Sequence, residues 1–258
     1  MTLAALVTGG GTGIGAAIAR RLAGDGLGVC VTGRRRERLD EVAAETGALA
    51  VVADTGQPAD ALRAVEAAKG AFGQLDLLVC NAGIGSGGTV EEQTPESWDA
   101  VLRTNLTGAF LACRAALPEL VETRGSIVTI SSDAGLRASP RSAAYCTAKA
   151  GLIMLTQCIA LDYGPLGVRA NCICPGWVRT PMADGEMDDL GERKGTDREG
   201  AYELASARVP LRRPGNPEEI AGAVAWLASR EAGFTTGAVL AIDGGNNIVD
   251  SSAMEFVA

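Results

Sequence analysis

Seven short apolar runs, separated by stretches of helical character, set the rhythm of this 258-residue sequence. Leu3–Thr8, Gly28–Thr32, Leu49–Ala53, Leu75–Cys80, Ser126–Ile130, Val168–Ile173 and Ala238–Ile242 are almost continuously apolar. A strand covered on one face alternates apolar with polar residues, whereas an unbroken run belongs to a strand covered on both. Between the runs lie Ile14–Ala23, Arg36–Thr46, Pro58–Phe72, Pro95–Val121, Ser142–Tyr163 and Pro217–Ala228, each with helical spacing. Pro58, Pro95 and Pro217 suit first-turn positions, where a missing N–H costs nothing. The alternation predicts one α/β domain over residues 1–258, a doubly wound parallel sheet of about seven strands flanked by helices on both faces. Met182–Arg213 breaks the rhythm, being charged and punctuated by glycines. It is expected to be an irregular insertion that caps a site.

The first strand runs into Thr8-Gly9-Gly10-Gly11-Thr12-Gly13-Ile14-Gly15, and a helix follows at once. Glycines there permit a tight turn and let a pyrophosphate approach the backbone, while the helix N-terminus offers free N–H groups and a positive dipole end. Strand, glycine turn and helix in that order mark a Rossmann-type dinucleotide site, with Gly9, Gly11, Thr12, Gly13, Ile14 and Gly15 as its phosphate-side contacts. An NAD site wants a carboxylate after the second strand for the ribose hydroxyls. Here that place holds Thr32-Gly33-Arg34-Arg35. A guanidinium suits a 2′-phosphate, so Arg34 and Arg35 favour NADP(H) over NAD(H). Asp54, at the end of the third strand, reads equally as an adenine contact or a helix cap.

Composition narrows the chemistry. The sequence has no histidine, which removes the usual general base and the commonest metal ligand together. Acid/base work must fall to Tyr, Lys, Asp, Glu or Cys. The net charge of −8 argues against nucleic acid or an anionic membrane surface as partner. Seven cysteines stand singly with no CxxC pair, as expected of reduced core thiols in a cytoplasmic protein. No secretory leader pattern opens the sequence, and no run reads as a membrane span.

Tyr145 and Lys149 stand four residues apart, which stacks them on one helical face. An ammonium beside a phenol is expected to lower the phenol's pKa and bring a proton donor and acceptor toward neutral pH. Ser131-Ser132 close the fifth run and Asn81-Ala82-Gly83 the fourth, at the sheet edge where open α/β folds place ligands. Asn105 lies in the helix between those two strands, and Pro175-Gly176 followed by Val178 and Thr180 closes the sixth.

In this order, with Ser132 preceding Tyr145 by 13 residues, the chain resembles the short-chain dehydrogenase/reductase family over essentially its whole length. The resemblance implies hydride transfer between a nicotinamide cofactor and a small or medium ketone/secondary-alcohol substrate. In it Tyr145 exchanges a proton with the substrate oxygen, which Ser132 hydrogen-bonds. Lys149 holds the nicotinamide ribose and depresses the Tyr145 pKa, and Asn105 positions a water in a proton relay. Thr180 contacts the carboxamide, Pro175, Gly176 and Val178 border it, and Asn81, Ala82 and Gly83 flank the cofactor, Asn81 chiefly as a sheet stabiliser. No metal is implied, and the family is commonly tetrameric, so a homo-oligomer (tetramer or dimer) is expected.

Gly83–Gly88, Asp133–Arg141, Trp177 and the 182–213 segment are expected to line the substrate pocket, Arg137 and Arg141 offering charge for an anionic group. A 3-oxoacyl-thioester reductase is the alternative enzyme. The basic docking residues such members carry are half present, with Arg124 before Gly125 but Leu166 before Gly167. A catalytically silent cofactor-binding regulator is a third reading, disfavoured by the intact Asn105, Ser132, Tyr145 and Lys149. Met254, Phe256 and Val257 in the tail are expected to pack on a neighbouring subunit.

Overall fold

Successive strand residues bury to opposite sides of one sheet. Ala5, Val7, Val29, Val31, Leu77 and Val79 belong to one apolar cluster, and Leu6, Cys30, Leu78 and Cys80 to another. A period of two does this automatically, because neighbouring side chains on a strand leave on opposite faces. In the computed structural model, which describes residues 3–85 and 87–250, the strands are β1 (Ala4–Thr8), β2 (Gly28–Gly33), β3 (Leu49–Val52), β4 (Leu77–Cys80), β5 (Ser126–Ile130), β6 (Arg169–Pro175) and β7 (Val239–Ile242). They form one parallel sheet in the order β3-β2-β1-β4-β5-β6-β7.

The helices are α1 (Gly13–Gly24), α2 (Arg36–Thr46), α3 (Pro58–Phe72), α4 (Pro95–Leu102), α5 (Gly108–Thr123), α6 (Ala143–Tyr163), α7 (Pro181–Lys194), α8 (Arg198–Ser206) and α9 (Pro217–Ala228). Ile18 and Leu22 of α1, Leu39 and Val42 of α2, and Ile220 and Val224 of α9 cover one face. Ala64 and Ala68 of α3, Cys113 and Leu120 of α5, and Leu152 and Ile159 of α6 cover the other. Each fully buried leucine contributes about 2–3 kcal/mol of transfer free energy, and Leu6, Leu22, Leu78, Leu120 and Leu152 are all within 1% of complete burial. The helical stretch Ala143–Leu166 is long and apolar enough to cross a bilayer; Leu152 and Ile159 pack on the sheet, while Met154 and Leu161 are exposed.

Two expectations about elements need correction. The stretch read as one helix over Pro95–Val121 is α4 and α5 joined by a π-turn at Arg103–Thr107. The segment 182–213 is not irregular, because α7 and α8 occupy most of it. Its helices pack on each other through a short apolar stripe, Ala183, Met187 and Leu190 against Ala201, Tyr202 and Ala205, and their ends are capped. Thr180 and Asp197 accept from the N–H groups of Ala183 and Gly200, and Pro181 sits in the first turn. Arg198 bridges the two helices through Asp184 and Asp188. Strand limits move by up to two residues: β4 starts at Leu77 and β6 continues to Pro175.

The thiols are part of the core. Cys30, Cys80, Cys113, Cys172 and Cys174 are buried, whereas Cys158 is exposed. Cys80 and Cys113 approach to 3.7 Å across the β4–α5 contact. The tail residues Met254, Phe256 and Val257 lie outside the described residues.

The sheet order reverses at β1, whose neighbours are β2 and β4. Chains leaving β1 and β4 at their carboxyl ends turn to opposite faces and leave a crevice between them, the usual ligand site of such sheets.

Candidate active site

The glycine turn fills one side of that crevice. Gly9 has φ +65°, and a Cβ there would lie 2.8 Å from Ala82 Cα. A Cβ on Gly15 would fall 2.2 Å from the Gly9 carbonyl. No other residue fits at either place. The turn is clamped to the end of β4: the Asn81 amide donates to the Thr8 and Gly9 carbonyls at 3.0 and 3.1 Å. The Thr8 hydroxyl in turn accepts from the Asn81 and Ala82 N–H groups. Asn81 therefore acts on the turn's shape, as expected of a structural residue.

Thr94, Thr180 and Asp197 cap their helices with side-chain oxygens, but Thr12 leaves the N-terminus of α1 without one, and no acidic residue stands in its first turn. Uncapped N–H groups and a positive dipole end beside a glycine turn fit a pyrophosphate. Gly11, Gly13 and Ile14 complete this rim, and a Cβ on Gly13 would touch Thr180 at 3.1 Å. Arg35 begins α2 and places a guanidinium nitrogen 3.4 Å from the Thr12 hydroxyl. Arg36 and Arg38 are ion-paired with Asp40 and Glu41, while no ion pair to a described residue engages Arg34 or Arg35. Asp54 follows β3 and accepts from the Gly56 N–H at 2.9 Å, and its own N–H donates to Asp60. It shapes a turn; Gln57 is the residue that begins α3.

Beyond the turn, four side chains meet at the ends of β4 and β5. Lys149 is 4% exposed and donates to the Ile130 carbonyl at 2.9 Å. Its ammonium lies 5.5 Å from the centroid of the Tyr145 ring. Ser131 anchors the same helix by donating to the Lys149 carbonyl at 2.8 Å. The Ser132 hydroxyl accepts from the Ala134 N–H and donates to Asp133 at 3.1 Å, and it stands close enough to the Tyr145 phenol to lower its pKa. Asn105 is carried inward by the π-turn and is 1% exposed. It accepts from the Ile84 N–H at 2.8 Å and donates to the Ile84 carbonyl at 2.9 Å, so it clamps the loop after β4. Gly83 lies between the two: a Cβ there would be 3.3 Å from Asn105 Oδ1 and 3.5 Å from Lys149 Nζ.

The electrostatics differ from expectation. Burial pushes the Tyr145 phenol up to about 12, against the lowering effect of Ser132 and with help from the charges of Glu186 and Asp133. Burial also pulls Lys149 down to about 8. Spacing alone predicted a lowered tyrosine. In the folded chain desolvation of the phenol is the largest effect and outweighs the lowering effect of Ser132.

Val178 is buried and pairs its backbone with Gly215, and Gly176 donates to the Ile242 carbonyl at 3.1 Å. The Pro175–Thr180 stretch thus holds α7 beside the glycine turn. Trp177 packs with Ala183, Met187 and Tyr202 in a small cluster of its own, as a core-edge residue. Arg137 and Arg141 pair with Asp133 and Glu92 at 4.0 and 2.9 Å. Ser86, within the expected lining, lies outside the described residues. One residue that sequence reasoning did not single out is Glu186 on α7. Its Oε1 would be 3.5 Å from a Cβ on Gly85. Nothing in an acidic segment distinguishes one glutamate from its neighbours before the helix is placed.

A family model described as Enoyl-(Acyl carrier protein) reductase matches residues 9–247. Protein MoaE of Klebsiella aerogenes is 43% identical over 99% of this chain and 100% of its own length. The 2-(S)-hydroxypropyl-CoM dehydrogenase 3 of Xanthobacter autotrophicus is 39% identical over 93% of this chain and 94% of its own. The chain belongs to the short-chain dehydrogenase/reductase family. It is an NAD(P)-dependent oxidoreductase of ketones and secondary alcohols. Among solved structures, an actinorhodin polyketide ketoreductase variant with NADPH superposes with a TM-score of 0.92 at 34% identity, covering 96% of this chain and 98% of that one.

Proposed function

We propose that Tyr145 is the acid/base of this enzyme, with Ser132 as the hydrogen-bond donor to the reacting oxygen and Lys149 as the charge that makes Tyr145 usable. The observation that carries this reading is Lys149 Nζ 5.5 Å from the centroid of the Tyr145 ring, buried beside Gly83 and Asn105, with Ser132 close enough to the phenol to favour its ionisation. The nicotinamide cofactor supplies the hydride acceptor or donor when bound. In alcohol oxidation Tyr145 accepts the hydroxyl proton; in ketone reduction it returns that proton to the carbonyl oxygen. Ser132 stabilises the developing negative charge on that oxygen. Lys149 stays close enough to favour the phenolate as water leaves the site. Asn105 is a positioning residue here, since its amide is committed to Ile84 beside Lys149.

Gly9, Gly11, Thr12, Gly13, Ile14 and Gly15 would hold the pyrophosphate, and Asp54, Asn81, Ala82, Gly83, Pro175, Gly176, Val178 and Thr180 would border the rest of the dinucleotide. Arg34 and Arg35 would take a 2′-phosphate, making NADP(H) the preferred cofactor. Their support is that they alone in the Arg34–Arg38 cluster are without an ion pair among the described residues. The segment 182–213 acts as the substrate lid, and the enzyme works as a cytoplasmic homo-oligomer. The substrate is a small or medium secondary alcohol or its ketone. Likeness to a polyketide ketoreductase favours a second reading, a 3-oxoacyl-thioester reductase. Cofactor absorbance at 340 nm, followed with simple secondary alcohols and ketones and with an acetoacetyl thioester, separates the two. Faster turnover of the thioester would displace the first.

A further inference from the structure

α7 carries five carboxylates, and the structure divides them. Asp184 accepts from the Tyr202 hydroxyl at 2.9 Å and pairs with Arg198, and Asp188 pairs with Arg198 at 2.6 Å. Both are spent on joining α7 to α8. Glu186 is not. It stands one turn after the buried Ala183 and beside the buried Met187, at the border of the face that α7 turns inward. Its Oε1 reaches the loop after β4, 3.5 Å from the place of a Gly85 Cβ. Gly83, two residues earlier, is the residue beside Lys149 Nζ and Asn105. Two residues of chain span at most about 7 Å, so the Glu186 carboxylate borders the same stretch of the crevice as Lys149, and its charge reaches Tyr145.

No cation or donor among the described residues engages that carboxylate. The residue is exposed overall, yet burial of its carboxyl end, then the neighbouring Asp189, raise its pKa. An unpaired carboxylate here also works against the reaction, because its charge resists ionisation of Tyr145. A cation placed between the two removes both costs. Arg137, Arg141 and Arg179 are each paired with another carboxylate, Asp133, Glu92 and Glu199. The chain's net charge of −8 draws cationic ligands and repels anionic ones.

We infer that Glu186 is a specificity-determining residue that selects secondary alcohols and ketones bearing an ammonium or other cationic group a few bonds from the reacting carbon. The inference rests on the assignment of the reaction to Tyr145. Its test compares kcat/KM for matched alcohols of increasing length, ammonium-ended against methyl-ended, beginning with 1-amino-2-propanol and 2-butanol, with 3-hydroxybutyrate as the anionic probe. NADP⁺ and NAD⁺ are both supplied, at a pH where the amines are protonated. The wild-type enzyme is expected to prefer the ammonium member by about tenfold, carried mainly by KM, as for one partly solvated charge-assisted contact. Glu186→Gln should erase that preference while leaving the methyl-ended alcohols as fast as in the wild type or somewhat faster, since the charge that resists ionisation of Tyr145 is gone, and Glu186→Lys should turn the preference toward 3-hydroxybutyrate. Retained turnover of the methyl-ended alcohols shows that the variants are folded. An undiminished ammonium preference in Glu186→Gln, or no preference in the wild type, overturns the inference and leaves the Tyr145 assignment standing. Turnover undiminished by Tyr145→Phe overturns the assignment instead.

Discussion

At the level of single residues, desolvation dominates the site. Tyr145 and Lys149 are displaced in opposite directions for one reason: each loses water around its charged form. The direction means that alcohol oxidation, which needs a proton acceptor, should accelerate as pH rises, and that ketone reduction should fall away at high pH. Exchanging Lys149 for Met removes an ammonium that faces the phenol only below its own pKa of about 8, so kcat/KM for oxidation should fall most below pH 8 and the two profiles should converge above it. A pH profile of the two enzymes reads this directly. The cofactor residues make a separate claim. Replacing Arg34 and Arg35 together by Ala should raise the Kd for NADP(H) by about tenfold or more, as expected for charge-assisted contacts to a phosphate, and leave NAD(H) almost unchanged. Titration of both cofactors into both proteins checks it. Equal affinity of wild type and variant for NADP(H) would return the cofactor preference to an open question.

The elements show where sequence reading was reliable and where it was not. β1, the glycine turn and α1 were legible because apolar continuity, glycine and helical spacing coincide within a few residues, and local chemistry alone builds the turn. α7 and α8 were not, since Gly185, Gly191 and Gly195 interrupt the pattern and the apolar stripe is short, built largely of alanines and supplemented by caps and ion pairs. The π-turn at Arg103–Thr107 was hidden for a different reason. It depends on Asn105 meeting the Ile84 backbone, a partner 21 residues away. If caps hold α7, then Thr180→Ala should weaken that helix by about 1 kcal/mol, visible as faster amide exchange confined to Pro181–Lys194. Exchange that quickens across the whole protein instead would mean that the lid and the sheet open as one unit.

For the molecule as a whole, the buried ammonium of Lys149 is a stability cost that changes with pH. Its folded pKa of about 8 lies below the ordinary lysine value of 10.5, so above pH 8 the folded chain sheds a proton that the unfolded chain keeps. Stability is therefore lowest below pH 8 on this account and recovers as pH rises toward 10.5. Between pH 7 and 9.5 the wild type should gain about 2 kcal/mol relative to Lys149→Met, measured by urea unfolding of both proteins. A parallel pH dependence in the two would show that other groups set the slope. The seven strands and their parallel order were foreseeable, because a sheet buried on both sides writes continuous apolar runs into the sequence. The crevice was foreseeable as well, and the residues that meet there came from four separate elements at the positions their motifs marked. The Tyr145 shift was not, because spacing shows which groups are neighbours and says nothing of how much water they keep.

The central claim is that one phenol carries the proton. Its most direct measurement is turnover by Tyr145→Phe with NADP(H), read beside the Kd of the same variant for the cofactor. Loss of the acid/base group should lower kcat by about 10²–10⁴-fold, with the cofactor Kd within a few-fold of the wild type. A variant that binds cofactor normally and turns over at the wild-type rate would contradict the account at its centre.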